Sequence, residues 1–115
     1  MDEVLFNSLM DGCVKTHRPK QGLQIFADMK NNTTISISNV TYSILIRIYA
    51  QLGDIDRAFG LLEEIRSRHM TPSIVVFTCL SQICVKHQMP HDLLWIFGQA
   101  NRAIHIDQIF VKIIL

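Results

Sequence analysis

Three stretches of this chain lie on one ruler. The windows "EVLFNSLMDGCVKTHRPKQGLQIFADM" from Glu3, "NVTYSILIRIYAQLGDIDRAFGLLEEI" from Asn39 and "IVVFTCLSQICVKHQMPHDLLWIFGQA" from Ile74 align without a gap, their starts 36 and 35 residues apart. Val4, Val40 and Val75 fall in register. They are followed by the aromatics Phe6, Tyr42 and Phe77, the leucines Leu9, Leu45 and Leu80, and the apolar pairs Ile25-Phe26, Leu61-Leu62 and Ile96-Phe97. A fixed period of this size marks a stacked-repeat architecture, in which one unit is too small to bury its own apolar faces and must be covered by the next.

Each unit reads as two helices. Apolar residues recur at three and four in Phe6, Leu9, Met10 and Cys13, in Tyr42, Leu45, Ile46 and Tyr49, and in Phe77, Leu80 and Cys84, which is a helical stripe. A breaker then falls at one place in every unit: Pro19, Gly53-Asp54 and Pro90. Proline suits a first helical turn, and Gly followed by Asp is an end signal followed by an N-cap. Second helices are expected to run to about Lys30, Arg68 and Asn101, with Gly22 and Ala58 as small residues where helices approach closely and Leu93 in that place in the third unit. The expected fold is all-α, a right-handed α-solenoid of antiparallel helix pairs. Its units are residues 3–38, 39–73 and 74–107. A break around Ile104–Asp107 would set off "DQIFVKIIL", which resembles "DEVLFNSLM" and reads as the start of a fourth unit at 108–115. That makes six full helices and part of a seventh, a segment of a longer array. "TTISISNVTY" alternates like a strand, and a strand there would count against the repeat register.

Composition bounds function mainly by exclusion. With 49% hydrophobic residues the 115-residue chain can build a core, and a formal charge of +1 gives no bulk attraction to nucleic acid or membrane, so any such binding must come from local placement. Three cysteines are an odd number that argues against a disulfide framework and for a reducing compartment. No apolar run is long enough to span a membrane. The opening "MDEVLFNSL" resembles neither a signal nor a transit peptide, so a targeting segment is either unnecessary or lies upstream.

The windows resemble the pentatricopeptide repeat family, whose units of about 35 residues open with a pattern like "VTYSILI" at 40–46, carry an alanine as in "DRAFGLLEEI" and a proline as in "MTPS". The related tetratricopeptide repeat has 34 residues and places a small residue after the first-helix leucine. Here that place holds Met10, Ile46 and Ser81, two of them bulky. The resemblance covers essentially the whole chain and is clearest in the second unit.

The resemblance implies selective binding of single-stranded RNA, one base per repeat, on the surface formed by the first helices. It implies that Val4, Val40 and Val75 clamp bases; the bland alternative is that these valines only pack repeat on repeat. It places base selection in the residue after the aromatic, Asn7, Ser43 and Thr78, and in the residue closing each unit, Ser38, Ser73 and Asp107. A carboxylate only accepts hydrogen bonds, so Asp107 suits a base edge offering N–H, and with Thr78 it is expected to favour guanine. Asn7 is expected to favour a pyrimidine and Ser43 a purine. Lys15 and Lys86 occupy a place that in the family meets the phosphate backbone, a sequence-independent and salt-sensitive contribution. The resemblance also implies a mitochondrial or plastid location and a role in RNA processing, stabilisation or translation.

Those lysines end the tripeptide CVK, which occurs at 13–15 and 84–86. Cys13 and Cys84 share the apolar stripe with Tyr49 and read as small buried hydrophobes. Cys79, Cys84, His87 and His91 have a spacing with the flavour of a zinc site, but a five-residue helical step turns a side chain by about 140°, and Pro90 breaks the segment before His91. No glycine-rich phosphate loop, G-x-S-x-G or HExxH is present, so the segment reads as non-catalytic and no cofactor is implied. Glu63 and Glu64 near Arg66 and Arg68 read as solvated charge pairs, and His17, His69 and His105 as turn residues. The rival reading is a protein-binding solenoid. A peptide groove would need a continuous apolar floor, and uncapped repeat ends are a second place where other proteins would meet the chain.

Overall fold

The computed structural model describes residues 2–32 and 34–114, with side chains as far as residue 102. Six helices follow in order: α1 (Glu3–Lys15), α2 (Pro19–Asn31), α3 (Asn39–Leu52), α4 (Ile55–Ser67), α5 (Ile74–Lys86) and α6 (Pro90–Ile114). There is no strand among the described residues, and the alternating stretch from Thr34 to Ser38 is irregular chain between α2 and α3.

The local signals act as the sequence implies. Pro19 and Pro90 open α2 and α6, where a missing N–H leaves no partner wanting. Asp2 and Asp54 cap α1 and α4, their carboxylates accepting from the N–H of Leu5 at 2.9 Å and of Arg57 at 3.2 Å. The turn from first to second helix is the same in every unit. His17, Gly53 and Gln88 take left-handed backbone with φ of 56°, 76° and 53°. The next N–H then reaches back to the carbonyl of Cys13, Tyr49 or Cys84 at 2.8, 2.9 and 2.9 Å, a Schellman closure. Glycine is the residue that takes this conformation without strain, and only the middle unit supplies one.

The units pair α1 with α2, α3 with α4 and α5 with α6, and stack through α1 on α3 and α3 on α5, while α2 also meets α3 and α4 meets α5. Second helices meet only through side chains among the described residues, as where Arg66 of α4 donates to the Gln99 Oε1 of α6. The three first helices therefore form a continuous layer from which the second helices splay, the arrangement of an α-solenoid. The middle helix α3 is covered on both flanks, so Tyr42, Leu45, Ile46 and Ile48 are fully buried. Gly22 is small because it must be: a Cβ there would stand 2.8 Å from Ile48 Cδ1. Cys13 and Cys84 are buried free thiols.

The chain departs from expectation at its far end. The break expected around Ile104–Asp107 is not formed, and α6 continues as one helix to Ile114, so among the described residues there are six helices rather than six and part of a seventh. The physical reason is local: from Gln99 to Leu115 there is no Gly or Pro to end a helix, whereas Pro72 and the polar run after Lys30 interrupt the chain at the two earlier unit boundaries. His105, expected in a turn, is helical. His17 and His69 do lie in turns, and Glu63 and Glu64 pair with Arg66 and Arg68 at 3.2 and 3.7 Å.

Candidate functional site

The first-helix layer carries most of the residues singled out in the sequence. Val4, Val40 and Val75 sit in the first turn of α1, α3 and α5, and are 73%, 55% and 52% exposed. Packing of repeat on repeat therefore does not account for them. Val4 and Val40 line one groove of about 520 Å³ between α1 and α3, with Glu3, Asn7, Asp11 and Arg47. Val75 and Thr78 line the corresponding groove of about 300 Å³ between α3 and α5, and Arg47 again forms its wall.

Asn7 in α1 and Ser38 just ahead of α3, 31 positions apart in sequence, converge on the Glu3 carboxylate. Asn7 Nδ2 donates to Glu3 Oε1 at 3.4 Å, and the Ser38 hydroxyl donates to the same oxygen. Thr41 completes the cluster, its hydroxyl lying 2.8 Å from Asn7 Oδ1 and 3.3 Å from Glu3 Oε1. In the next unit Asn39 takes the place of Glu3. Its Oδ1 accepts from the Ser73 N–H at 3.2 Å and its Nδ2 donates to the Thr71 carbonyl at 3.0 Å. The closing residues Ser38 and Ser73, and Asp2 at the matching place ahead of α1, share extended backbone just before a first helix, with ψ of 175°, 167° and 174°. Neither serine hydroxyl is used as a helix cap.

Two of the anticipated residues are placed differently. Ser43 is buried, because α3 is covered on both flanks, and its hydroxyl donates to the Val40 carbonyl at 2.6 Å. The matching Thr78 is exposed, with its hydroxyl on the Ile74 carbonyl at 2.8 Å. Asp107 lies within α6 by its backbone rather than ahead of a first helix, and its side chain falls outside the described residues.

The cations differ from one another. Lys15 Nζ is 2.9 Å from Asp11, and the other oxygen of that carboxylate is 3.3 Å from Arg47 Nη2. Asp11 thus ties the end of α1 to the middle of α3. Lys86 is exposed and has no ion pair among the described residues. The middle unit has Gln51 at this place, and its amide donates to the Val14 carbonyl at 2.7 Å, a structural bond between units.

Sequence reading missed Arg47 and Glu3. Arg47 is the only charged residue in "NVTYSILIRIYAQL", and a lone cation in an otherwise apolar helix packed on both flanks was the available signal. Its guanidinium reaches both grooves, while its Nε is buried without a partner among the described residues. Beside it, burial pushes the Cys79 thiol above its ordinary pKa, with Arg47 drawing it partly back. Glu3 gave no signal, since an acidic residue in a first turn is expected on dipole grounds alone.

The layer as a whole is a row of exposed valines over inter-unit grooves of mixed lining, with amide, hydroxyl and carboxylate groups beside apolar side chains on the groove walls and cations at the helix middles and ends. Comparisons with known proteins find repeats of one kind along the chain. The PPR repeat family matches residues 1–51, and the PPR repeat matches residues 40–70. A chloroplastic pentatricopeptide repeat-containing protein of Arabidopsis thaliana is 28% identical over 82 residues, covering 71% of this chain and 12% of that protein. A putative pentatricopeptide repeat-containing protein of the same plant is 29% identical over 83 residues, 72% of this chain and 9% of its own length. A second chloroplastic one is 21% identical over 95 residues, 81% of this chain and 12% of that protein. The chain spans about a tenth of the length of these curated relatives. With its stacked helix pairs, common turn geometry and matching repeat patterns, the chain belongs to the pentatricopeptide repeat family.

Proposed function

We propose that the first-helix layer binds single-stranded RNA, one base per repeat, as the family resemblance implies. The observation that carries the reading is the exposure of three valines at one register over inter-unit grooves. An apolar side chain held in water at the same place in every unit is suited to the face of a base, which it contacts without regard to sequence. Lys86, Lys15 and Arg47 supply contacts to phosphate, and no catalytic step is assigned to the segment.

Base choice follows from what each unit can present. Asn7 and Ser38 are joined through Glu3, so a base at unit one must take them from that carboxylate, and unit one is expected to take a pyrimidine as the resemblance implies. Unit two reads through Ser73, because the Ser43 hydroxyl is occupied and buried, and its preference for a purine is the weakest. Thr78 favours a purine in unit three; Asp107 narrows this to guanine only where α6 ends before residue 107. The protein-binding alternative asks for a continuous apolar floor; the groove between α1 and α3 breaks its apolar Val4, Val40 and Ile44 with Glu3, Asn7, Asp11 and Arg47, and the apolar groove between α5 and α6 is where that alternative would apply. Two of the matched relatives are named chloroplastic, which supports an organellar setting in plastid or mitochondrion for RNA processing, stabilisation or translation.

The test is binding of random single-stranded RNA, matched DNA and duplex RNA by wild type and by the Val40→Asp/Val75→Asp variant. Both valines are more than half exposed, so the variant is expected to keep its helical signal and melting temperature. Single-stranded RNA should bind best and lose affinity for all sequences alike in the variant. Unchanged binding, or preference for duplex, would overturn the reading.

A further inference from the structure

The three units differ at the residue that opens each first helix, and the difference falls on the groups that would face a base. That residue is Glu3 in unit one, Asn39 in unit two and Ile74 in unit three. Glu3 Oε1 accepts from the Ser38 hydroxyl and from Asn7 Nδ2, so one carboxylate oxygen holds a donor from each of the two residues assigned to base choice. Asn39 treats its serine differently. Its Oδ1 accepts from the Ser73 N–H and its Nδ2 donates to the Thr71 carbonyl, which leaves the Ser73 hydroxyl out of the contact. Ile74 has no side-chain acceptor at all. The hold on Glu3 is also light. No cation pairs with it among the described residues, Lys15 and Arg47 both being drawn to Asp11, and it lines the open groove between α1 and α3. Asn7 is held independently: the hydroxyl of fully buried Thr41 lies 2.8 Å from Asn7 Oδ1, which keeps the amide oriented whether or not Glu3 is in place.

We propose that Glu3 is a built-in competitor for the base of unit one, a carboxylate that occupies Asn7 and Ser38 in the free protein and turns into solvent when a base takes its place. The exchange conserves hydrogen bonds. Asn7 Nδ2 and the Ser38 hydroxyl trade the carboxylate for an acceptor on the base edge, and the released carboxylate is solvated by water. A base at unit one therefore gains less than the same amide and hydroxyl would give if they were free. Charge acts in the same direction, since a carboxylate on the groove wall repels the phosphates of an entering strand. The two contributions can be told apart. Repulsion is equal for every base and is screened by salt, whereas competition is felt only by a base that reaches Asn7 and Ser38. The inference rests on the RNA reading of the first-helix layer and on the choice of a pyrimidine at unit one.

The experiment is binding of short oligo(U), oligo(C) and oligo(A), in which every unit meets the same base and register drops out. The proteins are wild type, Glu3→Gln, Glu3→Ala, and an Asn7→Ala/Ser38→Ala background with and without Glu3→Ala. Glu3→Ala should bind both pyrimidine strands about tenfold more tightly, the lower end of what a hydrogen bond to a charged group contributes, while oligo(A) gains far less. Glu3→Gln loses the charge but keeps an acceptor for Asn7 and Ser38, so it should show the base-independent gain and only part of the pyrimidine gain. In the double-alanine background Glu3→Ala should keep only the base-independent part, which high salt removes. Equal gains on all three strands, or a pyrimidine gain that survives without Asn7 and Ser38, would overturn the competition and leave the RNA reading standing. Weaker pyrimidine binding by Glu3→Ala would overturn it too, since the carboxylate would then be a support for Asn7 and Ser38. No binding of any strand by wild type or variants would overturn the RNA reading, and this inference with it.

Discussion

Lys86 should contribute more to RNA binding than Lys15, although both end the same tripeptide. Lys15 is held by Asp11 at 2.9 Å, and Asp11 also holds Arg47, whereas Lys86 has no ion pair among the described residues. A phosphate that recruits Lys15 must first displace a carboxylate. An exposed pair of this kind is worth about 0.2–1 kcal/mol, so the displacement costs up to about fivefold in affinity. Releasing counterions from a single strand changes the salt slope by about 0.7 per phosphate, which between roughly 50 and 200 mM salt is about a 2.5-fold difference in affinity. Lys86→Ala should therefore flatten the slope by about 0.7, while Lys15→Ala flattens it by less. Asp11→Asn should do the opposite, tightening binding and steepening the slope by freeing Lys15 and Arg47. Fluorescence anisotropy with a labelled random single strand over a salt series reads all three. Equal slopes for wild type and Lys86→Ala would refute the phosphate role, and weaker binding by Asp11→Asn would refute the competition.

Other consequences concern the fold. The Tyr42 hydroxyl is buried without a partner among the described residues, and the other units carry Phe6 and Phe77 there, so Tyr42→Phe should stabilise by about 1 kcal/mol in denaturant melts; destabilisation would mean a further partner. Gly60→Ala, in α4 with open space around it, should gain about 1 kcal/mol, whereas Gly22→Ala meets Ile48 at 2.8 Å and should lose about 1–3 kcal/mol relative to that gain; equal effects would mean that the α2–α3 approach is looser than described. Burial raises the pKa of Cys79, Cys84 and Tyr42 above their unfolded values, so stability should be fully present below the unfolded thiol range and fall as pH rises above about 9; a flat profile there would place these groups in water.

The fold was legible because a repeat multiplies each weak signal by three. One proline or glycine after an apolar stripe is poor evidence for a turn, yet Pro19, Gly53 and Pro90 on one ruler fixed all three hairpins. The same logic failed where the third repeat of a signal was absent. Similarity of "DQIFVKIIL" to "DEVLFNSLM" implied a new helix, but no breaker precedes it and the helix simply continues. Site residues were legible as positions and not as states. Register put Asn7, Ser43 and Thr78 on the same face, but only packing tells that Ser43 is covered from both flanks while Thr78 is open. Nor does sequence say that Asp11 competes for Lys15, since that contact depends on how α1 lies along α3.

The valine methyl groups offer the most direct test of the central claim. In a methyl NMR titration with a short single-stranded RNA, the account predicts shifts at Val4, Val40 and Val75, which lie exposed at the starts of α1, α3 and α5. Val14 and Val76, buried between units, and Val85, on the groove between α5 and α6, should stay in place. Shifts led by Val85, with Val4, Val40 and Val75 unmoved, would contradict a first-helix RNA surface.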